Sequence, residues 1–83
     1  MTPGQCRAAR SLLGWSQRDL AERAGVSLGT VRNFEREATS LMAQNERALR
    51  AALEAAGVVF LEEPYREGVA RKPARRRPRK FVR

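Results

Sequence analysis

Residues 20–35 read LAERAGVSLGTVRNFE, with helical apolar spacing on both sides of Gly25. Glycine inside a helix costs about 1 kcal/mol relative to alanine, so the spacing predicts two short helices and a corner rather than one continuous helix. Ser16 is placed to cap the first of them, Gln17 to Ala24, with Asp19 near the positive end of its dipole. Leu20, Ala21 and Ala24 then face inward, and Gly25 falls where the chain can turn through a left-handed conformation. Ser27 caps the second helix, which reaches about Glu37. Val31, Phe34 and Glu35 share one side of that helix with Leu28 at its edge, while Gly29, Arg32, Asn33 and Arg36 recur on the other. One side packs and the other is offered outward. Ala21 is small where the two helices pass closest, so the corner holds a second helix out from the body.

Upstream, Thr2 is a cap, Pro3 a first helical residue and Gln5 the third, a pattern in which cap and third residue satisfy each other's backbone donors. This helix runs to about Leu13 and ends at Gly14, with Cys6, Ala9, Leu12 and Leu13 as its inward stripe and Trp15 as an apolar lid over the core. Downstream, EATSLMAQ (Glu37 to Gln44) is a connector with Thr39 or Ser40 as the cap of a fourth helix. That helix reaches about Ala56, turns Leu49, Ala52, Leu53 and Ala56 inward, and is ended by Gly57. VVFLEEP (Val58 to Pro64) then joins β-branched and aromatic residues to a breaker, a short strand returning as a hairpin through Tyr65 to Arg71. A lone strand leaves an edge unpaired, so this one pairs with its own return or with a second subunit.

Composition narrows the chemistry. Eighty-three residues make one small domain, which buries about 60% of its unfolded surface and offers a compact surface rather than a deep cleft. There is no histidine and one cysteine, so the usual zinc ligands and the usual general base are missing. Enzymatic activity and cofactor chemistry are not expected. Cys6 has no intramolecular disulfide partner and reads as a small buried thiol of a reducing, cytoplasmic interior. No apolar run approaches the roughly 18 residues of a membrane span, and the first residues lack a signal-peptide layout. The net charge of +8 is concentrated at one end. Residues 1–70 carry nine arginines against all nine acids and so balance, while residues 71–83 hold the other eight basic residues and no acid. With Pro73 and Pro78 and no apolar periodicity, that end reads as a disordered cationic tail.

Gln17 to Arg36 resembles the helix-turn-helix of the phage-repressor and Cro-like (Xre-type) family of bacterial and phage DNA-binding regulators. The likeness lies in the small residue Ala21, the glycine Gly25 and the apolar residues Leu20, Val26, Val31 and Phe34, with the lead-in RSLLGWSQ (Arg10 to Gln17) before them. It extends less specifically through the fourth helix. The implied fold is all-α, a lambda-repressor-like four-helix domain over residues 1–57. A short β extension (residues 58–70) and the basic tail (residues 71–83) follow it.

The resemblance implies that the helix opening at Leu28 enters the major groove. The family's base-contacting positions are then Leu28, Gly29, Arg32 and Asn33 here. Arginine can bond guanine and asparagine can bond adenine bidentately, and leucine can meet a thymine methyl. Gly29 has no side chain to read with, which thins direct readout and leaves more to DNA shape. Gln17, Ser27, Thr30, Arg36 and Thr39 match positions that contact phosphates. Arg10 and Glu35 match positions that pair in some members, and with Ala21 and Gly25 they carry structural roles. For Glu35 the wheel agrees, since an inward carboxylate needs a partner.

The tail segment KPARRRPRK (Lys72 to Lys80) partly resembles the AT-hook of A·T-rich minor grooves. Arg76 stands where that motif has its glycine, so a nonspecific phosphate-binding arm of Arg71, Lys72, Arg75, Arg76, Arg77, Arg79 and Lys80 is favoured over groove insertion. The expected function is a sequence-specific double-stranded DNA-binding regulator, a repressor, working with the nucleoid as a homodimer with Val58 to Leu61 near its interface. The alternative is a protein-interaction module, such as the antitoxin of a toxin–antitoxin pair. RNA binding is a weaker third, because no row of exposed aromatics is present for stacking bases.

Overall fold

The computed structural model describes residues 1–37, 41–61 and 68–72. Four helices, α1 (Pro3–Leu13), α2 (Gln17–Ala24), α3 (Leu28–Glu35) and α4 (Ala43–Ala55), are followed by the strands β1 (Val58–Leu61) and β2 (Gly68–Arg71). The mostly helical four-helix domain with its β extension is the architecture the sequence predicts.

The helix boundaries follow from backbone donors that need partners. Thr2 Oγ1 accepts from the Gln5 N–H and Gln5 Oε1 from the Thr2 N–H, each at 3.0 Å. Ser16 and Asp19 exchange the same pair of bonds at the start of α2, each at 2.9 Å. Ser27 accepts from the Thr30 N–H at 3.0 Å. At the other ends, Gly14 and Gly25 turn through the left-handed region with φ of 70° and 72°, and each N–H returns to the last carbonyls of its helix.

Three details differ from the expectation. Helix α3 ends at Glu35, with Arg36 as C-cap and Glu37 left-handed at φ 59°. Helix α4 is capped by Met42 with no side-chain bond, and Thr39 and Ser40 lie outside the described residues. Leu12 is 41% exposed rather than inward: it sits at the edge of the α1 packing, beside Val69 of β2 but only partly covered by it.

The core joins Cys6 and Ala9 of α1, Leu20 and Ala21 of α2, Val31 and Phe34 of α3, Leu49 and Leu53 of α4, and Val58 and Phe60 of β1. Leu13, Trp15, Ala24, Leu28 and Ala52 pack against it half-buried. Helix α2 packs on both α3 and α4. The crossing buries Ala21 and leaves the far side of α3 outward.

Strands β1 and β2 form an antiparallel pair in which Val58 faces Arg71 and Leu61 faces Gly68. Alternation buries Val58 and Phe60 and leaves Val59 and Leu61 outward. The Gln5 amide clasps the hairpin to α1, its Nε2 donating to the carbonyls of Leu61 at 3.2 Å and Gly68 at 3.1 Å. Gln5 thus caps its own helix with one end of the amide and holds the β extension with the other. Arg71 is the last residue of β2 rather than the first of the tail, and the Lys72 N–H donates to the Gly57 carbonyl at 2.7 Å.

Candidate nucleic-acid interface

Glu35 closes α3 and is 4% exposed. Its carboxylate is held from two other helices. Arg10 Nε and Nη2 of α1 donate to Oε2 at 2.8 Å and to Oε1 at 2.7 Å. Gln17 Nε2 of α2 donates to Oε1 at 3.0 Å, and Cys6 Sγ donates to Oε2 at 3.1 Å. The Glu35 main-chain carbonyl accepts from Arg7 Nη1. Arg10 also reaches the Trp15 carbonyl at 3.1 Å, tying the turn before α2 into the same cluster. Burial pushes the Glu35 carboxyl up, but the hydrogen bonds of Arg10, Cys6 and Gln17, with the charge of Arg10, outweigh it and hold it below its ordinary value. Burial, and then the bond to Glu35, push the Cys6 thiol far up, so it stays a protonated donor. The side of α3 turned to the body is therefore fixed by apolar packing and by a satisfied ionic clasp.

The opposite side carries the expected base-contacting residues. Gly29 and Arg32 are exposed, and Leu28 and Asn33 are half-buried. Asn33 Oδ1 accepts from Arg36 Nη2 at 2.8 Å. This bond orients the amide while its NH2 group keeps its donors and Oδ1 keeps a second lone pair. A β-carbon at Gly29 would meet nothing nearer than Ser27 Oγ at 3.9 Å, so packing does not demand glycine there. Ser27 Oγ and Thr30 Oγ1 lie 2.8 Å apart at the exposed start of α3.

Gln17, Arg32 and Arg36 line one shallow cleft of about 350 Å³ together with Arg7, Arg10 and Glu35. The fold thus brings residues of three helices to one place. Gln17 donates one amide N–H to Glu35 and stands as the first residue of α2. Arg71 and Lys72 stand exposed at the end of the hairpin, and Arg71 Nη1 donates to the Leu12 carbonyl at 3.3 Å. Thr39, Arg75, Arg76, Arg77, Arg79 and Lys80 lie outside the described residues. Two residues of the cluster were invisible to sequence reasoning. Cys6 reads only as a core thiol and Arg7 only as a charge, although Arg7 stands one turn before Arg10 on the same helix.

No helix among the described residues is long and apolar enough to cross a membrane. No curated protein matches the chain. Residues 7–57 match a family model described as helix-turn-helix.

Proposed function

Because the chain belongs to the helix-turn-helix family of Xre/Cro type, a family of DNA-binding regulators, we propose that it is a sequence-specific transcriptional repressor. It acts in the cytoplasm on double-stranded DNA with α3 in the major groove. The observation that carries this reading is the outward row Gly29, Arg32, Asn33 and Arg36 on a helix whose other side is locked by Glu35. Arg32 and Asn33 supply base contacts, with Leu28 against a thymine methyl. Arg36 holds Asn33 in register and reaches a phosphate, and Ser27, Thr30 and Gln17 border the backbone beside it.

The test begins by selecting duplexes from random DNA with the purified protein. Arg32→Ala and Asn33→Ala should each weaken binding to the selected site by about 1–3 kcal/mol and barely change binding to random DNA. Equal losses on both DNAs would remove the assignment of readout to α3.

A dimer belongs to the same proposal. One such helix covers a few base pairs, and two copies about a two-fold axis read half-sites roughly one helical turn apart. Val59 and Leu61, 37% and 40% exposed on the outer face of the hairpin, support a contact between copies there. Val58 and Phe60 serve the chain's own core instead.

A further inference from the structure

We propose that the cleft between α1 and the end of α3 is a binding site for a DNA backbone phosphate, and that Arg7 of α1 is a DNA-contacting residue. The inference rests on the repressor reading and adds to it a contact from outside the helix-turn-helix. Arg7, Arg10, Arg32 and Arg36 face a single carboxylate in this cleft, that of Glu35. Arg10 answers that carboxylate with two hydrogen bonds. Three guanidinium groups therefore remain in excess at one spot of a body that balances its charges over residues 1–70. Such a local excess favours an anion, and the cleft opens on the same side as Arg32 and Arg36 of the outward row.

Arg7 is exposed, and the bond from its Nη1 to the Glu35 carbonyl sets the direction of its fork. A guanidinium has five N–H donors in a fixed plane, so the fork retains donors for a phosphate beyond the one spent on that carbonyl. The same contact places the group at the C-terminal end of α3, where a positive charge is favourable and Arg36 stands next in the chain. Arg7 and Arg36 then hold one phosphodiester from two sides, and α1 is set on the duplex at a fixed distance from the recognition helix. A shallow cleft suits a group presented on a backbone rather than an enclosed small molecule.

A salt series on one selected duplex tests this. Arg7→Gln, which removes the charge and keeps a donor, should lower affinity several-fold at low salt and make the slope of log affinity against log salt shallower by about 0.9. The loss should be equal on selected and random duplexes, and Arg7→Lys should keep the slope. A duplex carrying one neutral methylphosphonate at the contacted position should erase the difference between wild type and Arg7→Gln. If Arg7 served only to hold α3, the variant would melt lower and leave the slope unmoved, which overturns the proposal. Inorganic phosphate offers the same oxygens, so the free protein is titrated with it at constant ionic strength. Saturable binding lost in Arg7→Gln, with an unchanged slope on DNA, would assign the cleft to a free anion and overturn the DNA contact. A wild-type protein that binds no duplex would remove the repressor reading and this inference together, whereas an unchanged slope in the variant removes the inference alone.

Discussion

Glu35 shows how a residue that sequence logic finds awkward becomes a fixed point of the fold. A carboxylate at 4% exposure would be costly without partners, and losing one partner of such a pair exposes that cost. Its inward place on the helix wheel is legible in the sequence, and its pairing with Arg10 is what the family resemblance implies. The contacts from Cys6 and Gln17 are not, because they depend on the angle at which α1 and α2 meet the end of α3. That dependence moves Gln17 inward, onto Glu35. The folded-state pKa of Glu35 is depressed, so its contribution is present above the unfolded value of about 4.3 and is lost as pH falls through the lower folded value. Glu35→Gln should cost about 2–3 kcal/mol at neutral pH, and the deficit should shrink on acidification below about pH 4.5. Urea midpoints of both proteins across that range decide it. Asp19, held down by the Ser16 backbone N–H, titrates in both proteins and cancels in the comparison. A deficit independent of pH would mean that the charge of Glu35 is not what the clasp uses.

At the scale of elements, two glycines four positions apart in the opening stretch do opposite work. Gly25 has φ of 72° and an added β-carbon there would meet nothing within 4 Å, so its requirement is conformational and not steric. Gly29 lies inside α3, where an added β-carbon would make only an ordinary contact with Ser27 Oγ at 3.9 Å, and it has no positive φ. Gly25→Ala should therefore destabilise the domain by about 1–2 kcal/mol, and Gly29→Ala should stabilise it by up to about 1 kcal/mol. Thermal melts of the two variants test the signs, and a neutral Gly25→Ala would remove the corner argument. The corner was legible because capping and left-handed turns are local events. The hairpin was legible as two runs, but its register and its attachment through Gln5 depend on residues 56 and 63 positions apart. Leu12 misled the apolar spacing for the related reason that periodicity locates a stripe and cannot say how much of it a neighbouring element will cover.

For the whole molecule, charge and assembly decide how the interface meets DNA. If the outer face of the hairpin joins two copies, Val59→Lys with Leu61→Lys should yield a monomer in sedimentation that still melts cooperatively, since both side chains point outward. An unchanged mass would place the two-fold elsewhere. The charge argument begins from a balance, because residues 1–70 carry none net and the +8 lies beyond them. The cleft around Arg7 and Arg36 is locally positive, yet a neutral body has little long-range attraction for a duplex. On the proposed repressor reading, much of the steering is therefore expected from the last residues. Arg71 and Lys72 cannot be removed to test this, because the first is in β2 and the second donates its N–H to Gly57. Ending the chain at Lys72 keeps the hairpin whole and removes Arg75, Arg76, Arg77, Arg79, Lys80 and Arg83. Each phosphate those residues neutralise adds about −0.9 to the slope of log affinity against log salt. The shortened protein should bind more weakly at low salt, with a slope shallower by several units, and should select nearly the same base sequence. A segment that served only solubility or a protein partner would leave the slope as it was. Titrating both proteins on one duplex across a salt series separates the two cases, and parallel lines would remove the DNA-binding arm.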